Sequence, residues 1–306
     1  MSIITSSSIS RGLEPGVNAW LLDGYKSKEP QYTDVFTVYK SNKKVEYDVV
    51  VSSPGLLAVR SESAAVTYDD FQQYYEKRYT HVEYSSGFVI SQIAIEDNQY
   101  KEIAEMRAHC LGRSAVQTVE NVCANVLNNI ASTTGGDGVY YASTAHTLGK
   151  GGTCANMLTN GSDLSEVALE DMIIGIMNFR NEANLIIQAT PRKLIVPRQE
   201  IFNAQRILKS TLQNDTANNA INALGSMNML PEGVRVNNYL TDDDAYFVLT
   251  DATEHGFKLF HRRGDLNGME LKNDTDFDTD NVKFKMSMRF CAGITDWRAF
   301  YYSAGS

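Results

Sequence analysis

The chain has 306 residues, a formal net charge of −9 at pH 7 and four cysteines. Hydrophobic residues at 43% and charged residues at 21% are typical of a globular protein, which excludes a disordered, collagenous or disulfide-rich chain. The acidic charge argues against a sequence-specific nucleic-acid binder, because such proteins usually carry a basic face. No apolar run is long enough to span a bilayer, and the first residues lack a signal-peptide pattern, so we expect a soluble protein made in a cytosol.

The cysteines are far apart in the sequence and form no CxxC pair. This spacing favours reduced thiols over a disulfide framework or a zinc site. They are Cys110, Cys123, Cys154 and Cys291.

Residues 1–40 are polar and are interrupted by glycine and proline, with one short apolar patch at residues 19–22. A segment of this composition buries little surface by itself. We therefore expect residues 1–40 to lie as an extended arm on another surface.

Two runs of alternating apolar and polar residues follow, at residues 45–51 and 65–84, and turn formers separate them at residues 54–63. The pattern predicts a long β-hairpin over residues 41–84 with an irregular tip. Because its strands are too polar for the centre of a core, the hairpin either projects into water or is covered by another molecule.

Aliphatic and small residues then recur at steps of three and four, which places them on one stripe of a helix. The spacing predicts a helix from Asn98 to about Ile130, with Asp97 as its N-cap and a length of about 50 Å. Since the stripe is lined with small side chains, we expect another element to pack closely against it. The stripe consists of Ala104, Ala108, Leu111, Ala115, Val119, Val122, Val126 and Ile130.

Residues 135–272 alternate short strands with helices, which predicts a second lobe in an α+β fold. Asp163 and Glu166 are predicted to form a capping box for a helix that begins there. The acidic residues 273–280 are predicted to be a solvated connection. Residues 282–290 alternate strictly and predict a half-buried strand, and Gly293 predicts a bulge or bend after it.

The sequence contains no convincing catalytic or metal-binding constellation. Ser143 and His146 lie three residues apart, but no GxSxG elbow accompanies them, so a Ser/His hydrolase is only an alternative. The glycine-rich residues 149–153 lack phosphate-loop spacing, and the histidines and acidic runs lack metal-ligand spacing. The lysines at 40, 43 and 44 favour a salt bridge or solubility over phosphate contact. We predict no catalytic, cofactor-binding or metal-binding residues and no enzymatic activity.

A polar arm, a protruding hairpin and a very long helix are understandable if neighbouring copies of the chain cover them. At this point the last two thirds of the sequence resemble the major capsid proteins of tailed bacteriophages, the family with the HK97-like fold. The similar stretches are residues 141–148 (YASTAHTL), 164–170, 192–197 (RKLIVP), 205–210 (QRILKS), 239–242 (YLTD) and 284–298.

The resemblance implies an α+β HK97-like capsid fold and a division of the chain into named parts. These are an N-arm (1–40), an extended E-loop hairpin (41–84), a P domain with a long spine helix (85–134), an A domain (135–272) and a returning P-domain strand (273–306). The N-arm and the E-loop are placed by their order and character.

The resemblance also implies a structural protein that assembles as hexamers and pentamers into the icosahedral head of a tailed double-stranded DNA phage. The implied partners are other copies of the chain, a portal protein, cement proteins and packaged double-stranded DNA bound without sequence specificity, with no membrane and no cofactor. The implied location is the virion capsid, assembled in the cytoplasm of a bacterial host. A ring-forming head or tail completion protein is an alternative.

Many relatives carry a long scaffolding segment ahead of the arm, and the stretch before the hairpin is too short for one. A separate scaffolding protein is therefore expected, or removal of such a segment before this sequence begins. No lysine and asparagine stand out as a pair, so we predict no crosslink. The expected inter-subunit contacts are Trp20, Leu22, Pro54, Gly55, Leu56, Leu57, Arg60 and Glu62.

Overall fold

The computed structural model describes residues 6–66, 68, 73–91, 93–94, 100–212, 221–262 and 268–306. Helices and sheets are mixed, as the α+β prediction requires. Within the described ranges, none of the helices combines the length and hydropathy that a transmembrane span needs. In chain order the elements are α1 (Ser6–Lys26), β1 (Thr37–Lys40), β2 (Val45–Val51), β3 (Gln73–Thr80), β4 (Val82–Ile90), α2 (Tyr100–Asn128), β5 (His146–Thr147), β6 (Thr153–Cys154), α3 (Glu166–Met177), β7 (Pro191–Val196), α4 (Ile201–Lys209), α5 (Ala223–Ser226), β8 (Val234–Val236), β9 (Tyr246–Thr250), β10 (Phe257–His261), β11 (Met269–Thr275), β12 (Val282–Ile294) and β13 (Phe300–Ser303).

Strand β12 is the centre of a five-stranded sheet. Along one side it pairs antiparallel with β4, and along the other it pairs with β11 and then with β10. Strand β1 adds to β10 in the parallel direction. The predicted half-buried strand is confirmed, because every second residue from Val282 to Phe290 is buried against the core.

The predicted bend at Gly293 is wrong, because β12 continues to Ile294. Glycine is needed there for a different reason: a Cβ on Gly293 would lie 2.8 Å from the ring of Tyr79. The prediction of a solvated connection at residues 273–280 is wrong for its first part, because residues 273–275 complete β11 and pair with β12.

A four-stranded sheet of order β13-β9-β7-β8 forms the second lobe. Ser165 is the N-cap of helix α3, and its side chain accepts a hydrogen bond from the backbone N–H of Ala168. The predicted capping box of Asp163 and Glu166 is wrong, because Glu166 is the first residue of the helix and not the third.

The two sheets divide the chain differently from the predicted boundaries. Strand β10 lies between residues 135 and 272 in sequence but belongs to the five-stranded sheet, and residue 272 falls inside β11. Strand β13 lies beyond residue 272 but completes the four-stranded sheet by pairing with β9. The chain thus crosses between the sheets more often than its sequence indicates.

Helix α2 is the predicted long helix, observed over Tyr100–Asn128, while the proposed N-cap Asp97 lies outside the described residues. Six residues of the predicted stripe are buried. Val122 and Val126 are only half-buried, and Cys123 and Leu127 occupy the inward positions instead. The buried face therefore shifts around the helix by about one residue over its last turns.

The prediction of an extended arm is wrong for residues 6–26, which form helix α1 and pack along α2. Val17 and Leu21 are buried against the hydrophobic core. The helices approach closely through two glycines: a Cβ on Gly24 would lie 2.5 Å from the carbonyl oxygen of His109, and one on Gly112 would collide with the carbonyl oxygen of Leu21. Helix α1 is therefore an element that packs closely on the small-residue stripe.

Candidate functional site

Residues 52–66, here called the tip, lie between the two strands of the predicted hairpin, and β2 and β3 do pair antiparallel. The tip carries three aliphatic side chains that are almost fully exposed: Leu56 at 82%, Leu57 at 96% and Val59 at 102%. Such a cluster indicates a surface that another molecule covers. Of the other predicted contact residues in the tip, Pro54, Arg60 and Glu62 are exposed and Gly55 is half-buried.

The two remaining predicted contact residues lie on a different element. Trp20 and Leu22 are on α1, where both are half-buried and pack against the hydrophobic core of their own chain. The structure therefore divides the eight predicted residues between the tip and the surface of α1.

The hairpin has one face turned toward the body of the subunit, and this face is unusually polar. Alternating positions place Asp48 and Val50 of β2 there, together with Tyr75, Lys77 and Tyr79 of β3. Burial raises the pKa of both tyrosine hydroxyls and lowers the pKa of Lys77. The hairpin thus rests on the body through phenol and charged groups more than through aliphatic contacts.

The carboxylate of Asp48 lies at the centre of this contact. Its Oδ1 is 2.8 Å from Nδ1 of His255, and its Oδ2 accepts hydrogen bonds from Nζ of Lys258 at 2.6 Å and Oγ1 of Thr295 at 2.7 Å. Burial by itself would raise the pKa of Asp48, but the hydrogen bonds from Lys258, Thr295 and His255 outweigh it and hold the pKa below the ordinary value of 3.8. The group is therefore a carboxylate at neutral pH.

Three tyrosines of β3 make further contacts with the body. The hydroxyl group of Tyr79 is 2.6 Å from Oγ1 of Thr295, and the hydroxyl of Tyr74 donates to the carbonyl oxygen of Thr147 at 2.8 Å. The ring of Tyr75 occupies the space beside Gly136 that a Cβ would fill. Tyr79 near the base of the hairpin thereby contacts the end of β12, and Tyr74 and Tyr75 near the tip contact the loops of the second lobe.

This polar contact was not predictable from the sequence pattern. The alternation of β2 and β3 identified the strands, but nothing in it paired Asp48 with residues more than 200 positions away. The available signal was the alternation within each strand. It places Asp48 on the same face as Val50, and Lys77 on the same face as two buried tyrosines of β3. Charged residues at inward positions of a strand require partners.

The residues of the hydrolase alternative do not form a catalytic site. His146 is fully buried, with Nδ1 2.5 Å from Oδ2 of Asp137 and Nε2 3.0 Å from Oδ1 of Asn156. Since both ring nitrogens are engaged, the imidazole has no free nitrogen to activate a nucleophile. The hydroxyl of Ser143 accepts a hydrogen bond from the backbone N–H of Ala145.

The other candidate motifs have structural roles. Residues 149–152 form the turn between β5 and β6, with Gly151 and Gly152 in the left-handed region at φ of 91° and 99°. Lys43 pairs with Glu46 at 3.4 Å. In the part of the chain that the structure describes, no group of three His, Cys, Asp or Glu side chains is arranged to hold a metal ion.

Solved structures of capsid and virus-like-particle proteins are similar to this fold. A virus-like particle protein from Pyrococcus furiosus has a TM-score of 0.56 at 14% identity, covering 94% of this chain and 97% of that one. The procapsid protein of bacteriophage JBD30 gives 0.55 at 14% identity, with coverage of 98% and 76%. The capsid protein of cyanophage P-SCSP1u gives 0.56 at 10% identity, with coverage of 91% and 89%. The fold is the HK97-like capsid fold.

The family follows from the sequence. A family model described as phage capsid protein matches residues 74–303, and the chain belongs to this family. Its role is therefore that of a structural protein of the phage head, the major capsid protein, and its location is the virion capsid. No curated protein sequence is significantly similar to the chain.

Proposed function

We propose that the subunit assembles as hexamers and pentamers into the icosahedral head of a tailed phage, around packaged double-stranded DNA. The observation that carries this proposal is the tip, whose three aliphatic side chains are held away from the core of their own chain. A neighbouring copy that covers them removes this surface from water.

The energy of such a contact fits assembly by many weak interfaces. Burial of three aliphatic side chains supplies roughly 5 kcal/mol before the cost of association. A single contact of this size holds two subunits only loosely. A closed shell joins every subunit to several neighbours, so the contacts reinforce one another without any single one being strong.

The parts of the chain take the following roles in this proposal. Residues 41–84 are the E-loop, residues 85–134 the P domain with α2 as its spine helix, residues 135–272 the A domain and residues 273–306 the returning strand. Residues 1–40 are the N-arm, with α1 held on the subunit itself. The predicted contact residues remain Trp20 and Leu22 on α1 and six residues of the tip. These six are Pro54, Gly55, Leu56, Leu57, Arg60 and Glu62.

Further partners belong to the same proposal. A separate scaffolding protein, a portal protein and cement proteins would act with the subunit, and assembly would take place in the cytoplasm of a bacterial host. The DNA inside would be held without sequence recognition. The role is structural, and we expect no turnover of ester substrates, since both nitrogens of His146 are hydrogen-bonded inside the core.

Deletion of residues 53–62 tests the proposal, because it removes the exposed side chains and leaves β2 and β3 in place. The parent protein should form polyhedral particles, or free hexamers and pentamers, in light scattering and negative-stain images. The deletion variant should stay folded but give far fewer particles. Phe277→Ser is the matched control, since Phe277 is also 95% exposed but lies outside the tip.

Two results would contradict the proposal. Rings of a single cyclic symmetry without pentamers would favour a head or tail completion protein. Unchanged particle yield from the deletion variant would show that the tip does not join subunits.

A further inference from the structure

The hairpin is joined to the body of the subunit largely through side-chain contacts. It consists of only two strands, and an isolated two-stranded hairpin is marginally stable in water. At its base the chain passes from β3 through His81 directly into β4. Its position relative to the five-stranded sheet therefore depends on the side chains of its inward face.

Asp48 connects that face to two neighbouring parts of the body, the start of β10 and the end of β12. His255 precedes β10, Lys258 lies within β10, and Thr295 follows β12. The side chains of Asp48 and Lys258 are 12% and 11% exposed, so this ion pair is largely removed from water. Loss of the carboxylate would leave the ammonium group buried without a counterion, which is strongly unfavourable.

Hydrogen bonds to a carboxylate are directional, whereas aliphatic contacts are not. Three donors that converge on one carboxyl group from two segments define the position of that group in space. The hydroxyl of Thr295 donates to Asp48 and therefore accepts from the hydroxyl of Tyr79. This second hydrogen bond extends the same constraint to β3. Both strands of the hairpin are thus fixed to the body at one level.

We propose that Asp48 is a positioning residue for assembly: its carboxylate sets the angle at which the hairpin leaves the five-stranded sheet, and so sets where the tip meets a second copy of the chain. This inference rests on the proposed function for its consequence in assembly. The geometric part is that loss of this carboxylate changes the angle of the hairpin even though the tyrosines of β3 also contact the body, and it is testable in the isolated subunit.

A distance measurement between two spin labels tests the geometric part. Cys110 on α2 is exposed and the other three cysteines are buried, so the native Cys110 takes one label and Glu76→Cys on the exposed face of β3 takes the other. The labelled parent should give a single narrow distance distribution. Asp48→Asn should lose the narrow peak and give a broad or shifted distribution.

Glu46→Gln is the matched control. Glu46 is the other carboxylate on the same face of β2, but its oxygens contact Ser41 at 2.6 Å and Lys43 at 3.4 Å, within the base of the hairpin itself. This variant should keep the narrow distribution. Equal distributions for Asp48→Asn and the parent would overturn the inference.

A second pair of variants covers the case in which Asp48→Asn does not fold. Thr295→Val removes a hydroxyl that bonds both Asp48 and Tyr79, while Thr295→Ser retains it. The valine variant should broaden the distance distribution. The serine variant should keep the narrow distribution of the parent. A general loss of packing would affect both variants, because both change the size or shape of a buried side chain.

Assembly provides the final measurement. If the parent forms particles, Asp48→Asn should give fewer or misshapen ones while Glu46→Gln assembles normally, and normal assembly by Asp48→Asn would overturn the positioning role. If the parent forms neither particles nor free hexamers and pentamers, alone or co-expressed with the genes that neighbour its own, the proposed function fails, and the spin-label distances still decide whether Asp48 fixes the hairpin.

Discussion

The imidazole ring of His146 lies parallel to the indole ring of Trp297, with ring centroids 4.2 Å apart and an angle of 6° between the planes. The amide of Asn156 donates to the carbonyl oxygens of Tyr141 and Trp297, which leaves its own oxygen to accept from Nε2 of His146. Two of the stretches that resemble the capsid family, residues 141–148 and 284–298, therefore meet in space. The two stretches are joined there by buried polar groups.

Replacement of His146 by alanine should destabilise the subunit. Asp137 would remain buried without its partner, and breaking a buried pair in this way typically costs about 3–5 kcal/mol. Chemical denaturation measures the loss. Ser143→Ala should change the free energy of unfolding far less, and neither variant should differ from the parent in ester hydrolysis. A stable His146→Ala protein would show that the pair contributes little.

Val119→Asp should prevent the subunit from folding. Val119 is fully buried on the inward face of α2, and an isolated charge there has no partner. Circular dichroism and solubility report the outcome. Gln117→Asp, two residues away on the exposed face, introduces the same charge and should fold normally. If the Val119 variant is soluble and helical, the inward face of α2 has been assigned wrongly.

The Gly112→Ala substitution has two opposing effects on the stability of the subunit. Alanine favours a helix over glycine by about 1 kcal/mol, but a Cβ at this position would collide with the carbonyl oxygen of Leu21. Because the collision is with backbone, relief requires α1 to move away from α2. We expect a lower melting temperature, whereas Ser114→Ala, at an exposed position of α2, should leave it unchanged or raise it.

Acid should weaken the subunit through His261. Its pKa is lowered from 6.5 to about 4 by burial, with a smaller contribution from His81, and its ring nitrogens have no hydrogen-bond partner within the described ranges. Between these values the folded state binds fewer protons than the unfolded state. The contribution to stability is therefore present above about pH 6.5 and is lost as the pH falls toward 4, by roughly 3 kcal/mol.

His261→Leu removes this titrating group and should flatten the dependence of unfolding free energy on pH between 4 and 6.5. Denaturant titrations of the parent and the variant at several pH values provide the comparison. An equal slope in both proteins would mean that other groups account for the acid sensitivity.

The elements with a strong period were predictable from the sequence. The apolar stripe of α2 and the strict alternation of β12 each repeat over many residues. A single residue that departs from the pattern therefore does not change the predicted element. Helix α1 was missed because Pro15 and Gly16 interrupt a polar sequence. Its signal was present at Val17, Leu21 and Tyr25, which are four residues apart, but the helix depends on packing against α2 more than on its own propensity.

The pairing of distant strands was not predictable. Strand β1 joins β10 more than 200 residues later, and β13 leaves the neighbourhood of β12 to join β9. Alternation identifies which face of a strand is buried, but it carries no information about the partner strand. The same limit hid the network around Asp48, whose members come from both ends of the chain.

The order of the strands has a consequence for synthesis. The five-stranded sheet has no centre until β12 has been made, and the four-stranded sheet lacks an edge strand until β13 has been made. A chain interrupted before residue 282 therefore has the hairpin and its aliphatic tip but no finished sheet to hold them at a defined angle. Under the proposed function, such a chain would not present the tip in the position that a neighbouring subunit requires.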